Sequence, residues 1–252
     1  MAVMTGSPFQ YYPGVAATGG GLATAFQKGA ESASLIEYRD TLAETQRAQA
    51  AINEGRFAGE IAAVTVKNRK GESIVAQDEG PGVANIEKIP LLKPSFRKDG
   101  TVTAASSSSI SDGAASLILM RESEANAQGI EILARIAGHS GFAHDPEWFT
   151  TAPVFAIKAL HEKLGWDVAS VDLYEINEAF ACVTMAAMKD VGIDHDKVNV
   201  NGGACALGHP IGASGARIIV TLVHALRSRG GGKGIASLCI GGGEATAIGI
   251  EV

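Results

Sequence analysis

The chain has 252 residues, 46% of them hydrophobic and 19% charged, with a formal net charge of −6 and a pI near 5.5. That composition supports one large core or two smaller ones, and it leaves no basic field to gather nucleic acid or anionic lipid without a local site. No run approaches the about 18 apolar residues of a membrane span, and MAVMTGSPFQYYPG has neither the basic nor the apolar region of a leader, so a cytoplasmic protein with no membrane partner is expected.

Residues 1–35 are rich in Gly, Ala and Ser and carry no clear element. The segment 36–51, IEYRDTLAETQRAQAA, is built of good helix formers and ends before Gly55. EIAAVTV then reads as a strand and NRKGESIVAQDEGPGV as a polar excursion. From residue 117 strands and helices alternate. SLILM and EILARIAG are predicted strands around a short helix ending at Gly129, HSGFAHDPEWFTTAP a loop, and VFAIKALHEKLGW a helix with Pro153 in its first turn. VDLYEI is a strand, EAFACVTMAAMKDVG a helix, KVNV a strand and SGARIIVTLVHALRSRGGG a helix. KGIASLCI and EATAIGIEV close the chain as strands, so the pattern predicts an α/β layered fold with a mixed sheet flanked by helices.

Cys182, Cys205 and Cys239 lack CxxC spacing and are odd in number, which predicts free thiols, and no local spacing resembles a metal site. Three polar residues sit at strand or loop ends, where open α/β sheets place their sites: Asn177, His209 and Cys239. Each alone has a bland explanation, respectively a helix cap, a structural histidine and a small buried hydrophobe. Three glycines directly after Ile240 change the weighing, because bare backbone N–H groups in a tight turn can face a developing oxyanion. A Cys with a His also suits acyl or carbanion chemistry.

NEAFA, NVNGGACALGHPIGASGARI and LCIGGG, in this order, resemble the thiolase family, of the acetyl-CoA acetyltransferase type. The resemblance continues through QAAINEGRFAGEI and DGTVTAASSSSISDGAASLILM and covers roughly residues 44–252. It implies Claisen condensation of two acetyl-CoA or thiolytic cleavage of a 3-ketoacyl-CoA, coenzyme A thioesters as substrates, no further cofactor, and a homo-oligomer. By the same resemblance His209 activates a nucleophilic cysteine and, with a water held by Asn177, forms one oxyanion hole. Cys239 exchanges a proton with the α-carbon, the Gly241 amide serves a second oxyanion hole, and Ser108 contacts the pantetheine arm.

The family's nucleophilic cysteine is expected before residue 44, where this sequence has none. The nearest local match, TGGGLAT, puts Thr18 there, and a threonine hydroxyl stays protonated where a thiolate is wanted. SSSS at 106–109 replaces a run containing Asn and Gly. The expected organisation is therefore an atypical segment 1–43, a remnant of the family's N-terminal half at 44–128, and its C-terminal domain at 129–252. Two other readings stay open: a catalytically incomplete CoA-binding or assembly subunit, and a Cys/His hydrolase with Cys239 as nucleophile.

Overall fold

Side chains on alternate faces of a short strand set the architecture. The computed structural model describes residues 2–3, 30–69 and 71–252. Its strands are β1 (Ala2–Val3), β2 (Val64–Asn68), β3 (Gly71–Val75), β4 (Ala134–Ala143), β5 (Leu173–Ile176), β6 (Lys233–Ile240) and β7 (Glu244–Glu251). Its α-helices are α1 (Ala30–Asn53), α2 (Gly80–Val83), α3 (Glu122–Ala127), α4 (Ala152–Leu164), α5 (Ala181–Ala187), α6 (Ala204–Leu207) and α7 (Ser214–Ser228).

Five strands form one mixed sheet in the order β1-β4-β7-β6-β5. β5 is parallel to β6, while β7 runs antiparallel to β6 and to β4. On one face, Tyr174 and Ile176 of β5 pack with Ala156, Ile157 and Leu160 of α4. On the other, Leu173 packs with Ile218, Leu222 and Leu226 of α7, residues spaced four apart along one helix stripe. A strand covered on both faces is expected to be apolar, which explains Leu173, Tyr174 and Ile176 and makes the buried Glu175 an exception. Each of these buried leucines and isoleucines contributes roughly 1.5–3 kcal/mol of transfer free energy.

The layered α/β architecture with its mixed sheet is as expected, and several local readings need correction. SLILM forms no strand, only a single bridge position at Leu119, and Ile118 and Leu119 are exposed, so its β-propensity yields one paired residue instead of a ladder. The strand expected in EIAAVTV is β2, and the polar excursion after it supplies the second strand, β3, of an antiparallel hairpin exposed along its whole length. KVNV is a 3₁₀ turn at His195–Lys197 followed by a single bridge from Val198 to Tyr174, since Asn199 turns the chain with φ +46°. In HSGFAHDPEWFTTAP, β4 runs on to Ala143 and a 3₁₀ turn covers Pro146–Thr151. The helix expected over 178–192 is α5 plus a π-turn, Met188–Gly192. Most of segment 1–43 before α1, Thr18 included, lies outside the described residues. Among the described residues, no helix is long and apolar enough to cross a membrane.

Candidate active site

The parallel strands β5 and β6 end side by side, and the residues that follow them begin the site. Asn177, fully buried, continues β5 by donating its backbone N–H to Ser237 O at 2.9 Å. His209 lies in the glycine-rich loop before α7, and its backbone N–H donates to Ser109 O at 3.0 Å. The Asn177 Nδ2 and His209 Nε2 atoms are 3.4 Å apart. Across the ring, His209 Nδ1 is 2.6 Å from the hydroxyl of the fully buried Ser214.

The hydrogen-bond chain sets the proton on the ring. Ser214 Oγ donates to Pro210 O at 3.1 Å and so accepts from Nδ1–H, which leaves a lone pair on Nε2 for the Asn177 amide. Burial, helped by the Arg217 charge, holds the His209 imidazole below its ordinary value, so the ring is neutral at pH 7. If the Ser214 hydroxyl swings to donate to Nδ1 instead, the N–H moves to Nε2. One ring can then serve as a base or as a donor to an oxyanion.

The serine tract joins these two segments. Ser108 donates from both its N–H and its hydroxyl to Ala179 O, at 3.2 and 3.1 Å, and Ser107 bridges Phe180. Ser108 is thus tied to the residue two places after Asn177, while its oxygen still has a lone pair for a ligand N–H. Cys239 sits on β6 opposite Ala245, on the α4 side of the sheet among Tyr174, Ile176 and Val183. Burial pushes its thiol up to about 11. Gly241 lies in the exposed turn after β6, closed by a bond from Gly243 N–H to Ile240 O at 3.1 Å. The structure therefore brings together Asn177, His209 and Ser108 and sets Cys239 and Gly241 at the neighbouring strand end. Among the described residues, no hydrogen bond links Cys239 to His209.

Sequence reasoning missed Ser214, whose only cue was a serine in the first turn of α7. It also missed the buried carboxylates behind the site. Glu37, Asp40 and Glu44 of α1 and Glu175 and Glu178 around Asn177 are all buried, and α1 packs on α5 and α6. Glu178 Oε2 accepts from Cys205 N–H at 3.0 Å, and Glu175 has Arg217 at 3.6 Å. Burial outweighs these partners and pushes Glu175 up to about 8 and Glu178 to about 7, while Glu44 also rises.

These values predict a pH dependence of stability. A carboxyl raised by folding binds its proton more tightly folded than unfolded, so its contribution is complete below the ordinary carboxylate range and is lost as the pH rises through 7 to 8. Between those limits each such group withdraws up to about 1.4 kcal/mol per pH unit. The melting temperature, followed by circular dichroism, should fall from pH 5 to about pH 8 and level off above it, and Glu175→Gln should flatten the decline.

Comparison with known proteins bears on what the site does. Residues 39–123 match the family model for the thiolase N-terminal domain and residues 130–252 that for the thiolase C-terminal domain. The chain is 49% identical over 211 residues to an acetyl-CoA acetyltransferase of Rhizobium meliloti, covering 83% of this chain and 54% of that protein. A Pseudomonas aeruginosa acetyl-CoA acetyltransferase is 48% identical over 208 residues, covering 82% of this chain and 53% of its own length. The crystal structure of the Bacillus anthracis acetyl-CoA acetyltransferase superposes with a TM-score of 0.85 at 43% identity, over 91% of this chain and 58% of that one. Human mitochondrial 3-ketoacyl-CoA thiolase superposes with a TM-score of 0.81 at 38% identity, over 91% and 57%. The chain spans about half the length of the curated relatives it matches.

Proposed function

The chain belongs to the thiolase family, and on that footing we propose that it works in acyl-CoA C-acyl transfer, condensing two acetyl-CoA or cleaving a 3-ketoacyl-CoA with coenzyme A. The observation that carries this reading is the Ser214–His209–Asn177 chain at the end of two parallel strands, beside a protonated thiol and an exposed glycine turn. His209, with Asn177, faces the oxygen of a bound thioester and stabilises the charge that develops there. Cys239, as thiolate, is strongly basic. It takes a proton from the α-carbon and returns it as the thiol. In this reading Gly241 N–H serves a second oxyanion, and Ser108 the pantetheine arm.

A second reading, a subunit that handles the thioester but takes its acyl-accepting thiolate from elsewhere, is favoured by one observation. All three cysteines are held protonated by burial: Cys182 is pushed up to about 12, Cys239 to about 11, and Cys205 also rises. The same fact gives little support to Cys239 as the nucleophile of a hydrolase. Within the proposal the chain is cytoplasmic and works as a homo-oligomer, and the exposed Val64, Val66 and Val75 on one face of the hairpin support the second point by offering a surface to cover.

The test is to incubate the chain with acetyl-CoA in deuterated water, following the acetyl group by NMR and the chain by intact mass. Deuterium entering the methyl group is the expected result. An acetyl adduct on the chain would establish a self-sufficient acyltransferase, and exchange without an adduct would favour the second reading. Neither exchange nor CoA binding would overturn both.

A further inference from the structure

Asn177 makes its contact with His209 at 3.4 Å, near the outer limit of a hydrogen bond, so a displacement of a few tenths of an ångström would lose it. Something must therefore hold the end of β5 still. β5 is an edge strand, with β6 on one side only. On the open side, among the described residues, Val198 makes a single bridge to Tyr174, and beyond it the place of a strand is taken by one side chain. Asn199 Oδ1 accepts from Ile176 N–H at 2.9 Å and Asn199 Nδ2 donates to Ile176 O at 2.9 Å. Asn199 N–H adds a bond to Tyr174 O at 2.9 Å.

Ile176 immediately precedes Asn177. The residue after Asn177 is gripped by the same loop, because Glu178 accepts from Cys205 N–H at 3.0 Å. Between the two grips lies Gly203, where a methyl group would come within 2.2 Å of Glu178 Oε2 and 2.7 Å of Asn199 Nδ2. The loop then runs on to His209. A single segment thus fixes Asn177 from both flanks and delivers its partner, and Asn199 occupies an uncommon backbone conformation to do so: its φ of +46° is the only positive value of a non-glycine among the described residues. It is buried, with 1% of its surface exposed, so it has no direct access to a substrate.

We infer that Asn199 is a positioning residue: its side-chain amide stands in for a neighbouring strand and sets Asn177 at the distance from which it polarises His209. The inference rests on the reading of Asn177 and His209 as the polarising pair. Asn199→Gly is the informative change, since glycine accepts the positive φ and loses only the clamp. Asn177 Nδ2 donates to the unprotonated ring, so losing that bond raises the His209 titration midpoint.

The experiment is a double-mutant cycle on the full chain, with Asn177→Ala and Asn199→Gly, reading the His209 ring by NMR across pH. Each single variant is expected to raise the midpoint by about half a pH unit. The double variant should rise no further than either single, the signature of one residue acting through the other. Asn201→Ala removes a contact of the same loop with Arg56 and should leave the midpoint unchanged. If Asn199→Gly lowers the melting temperature but leaves His209 untouched, or if the shifts add, the residue is merely structural and the inference fails. Should the glycine variant not fold, Asn199→Asp keeps the acceptor and loses the donor, and the same comparison applies. Because the readout is the histidine itself, absence of deuterium exchange in the unaltered chain would count against the acyl-transfer reading and leave this test intact.

Discussion

Alanine at His209 is expected to slow the exchange of acetyl-CoA methyl hydrogens with solvent by about a thousandfold, with little change in melting temperature. The magnitude combines the loss of one positioned acid–base group, about 10²–10⁴-fold, with the loss of a donor to the enolate oxygen. Stability is spared because the ring is only part-buried and its bonds run to Ser214 and Asn177, both fully buried and held by their own backbones. Rates should be compared at saturating acetyl-CoA, so that a drop reports the proton step and not binding. A variant that keeps a rate within tenfold of the original would remove His209 from the site. Asn177→Ala, which leaves the ring in place, should fall between the two.

Alanine at Gly202 should act on the fold with comparable force. Gly202 has φ +90°, which an alanine adopts only under strain, and its added methyl would lie 2.6 Å from Ala48 Cβ and 2.9 Å from Ala48 N on α1. Backbone cannot yield as a side-chain tip can, so α1 must shift or the loop must open. Strain and overpacking together cost about 2–5 kcal/mol, or roughly 10 °C in melting temperature for a chain of this size. Gly212 provides the control, being in the same glycine-rich stretch with nothing within 4 Å of an added Cβ. Gly212→Ala should melt within a degree or two of the original. If both variants melted alike, the close approach of α1 to the loop would not be what makes Gly202 necessary.

Elements whose burial pattern is periodic were legible in the sequence. α7 shows its apolar stripe at intervals of four, and β5 and β6 read as apolar runs because both faces are covered. Asn177, His209 and Cys239 were legible from residue type and place, at ends of strands and in a loop of glycines. Partners across the chain were not. Ser214 matters because a ring five residues back turns toward it, and Asn199 because a strand end 23 residues earlier lies beside it. Neither relation leaves a periodic trace. SLILM shows the opposite failure, a sound local preference that the fold uses only as a single bridge at Leu119. The segment of α1 read only as a helix of good formers, with nothing to mark its carboxylates as buried, yet Glu37, Asp40 and Glu44 are, and Arg47 reaches from their helix to Val198 O and His195 O.

The amide that closes the outer side of β5 has a further effect, on association. An open sheet edge is a template on which another chain can add a strand, the first step toward fibrous aggregates. At the site end of this sheet, the outward groups Tyr174 O, Ile176 N–H and Ile176 O are all occupied by Asn199. A strand approaching there finds no unpaired donor or acceptor at these positions, so this edge is closed to growth even though the sheet ends at β5.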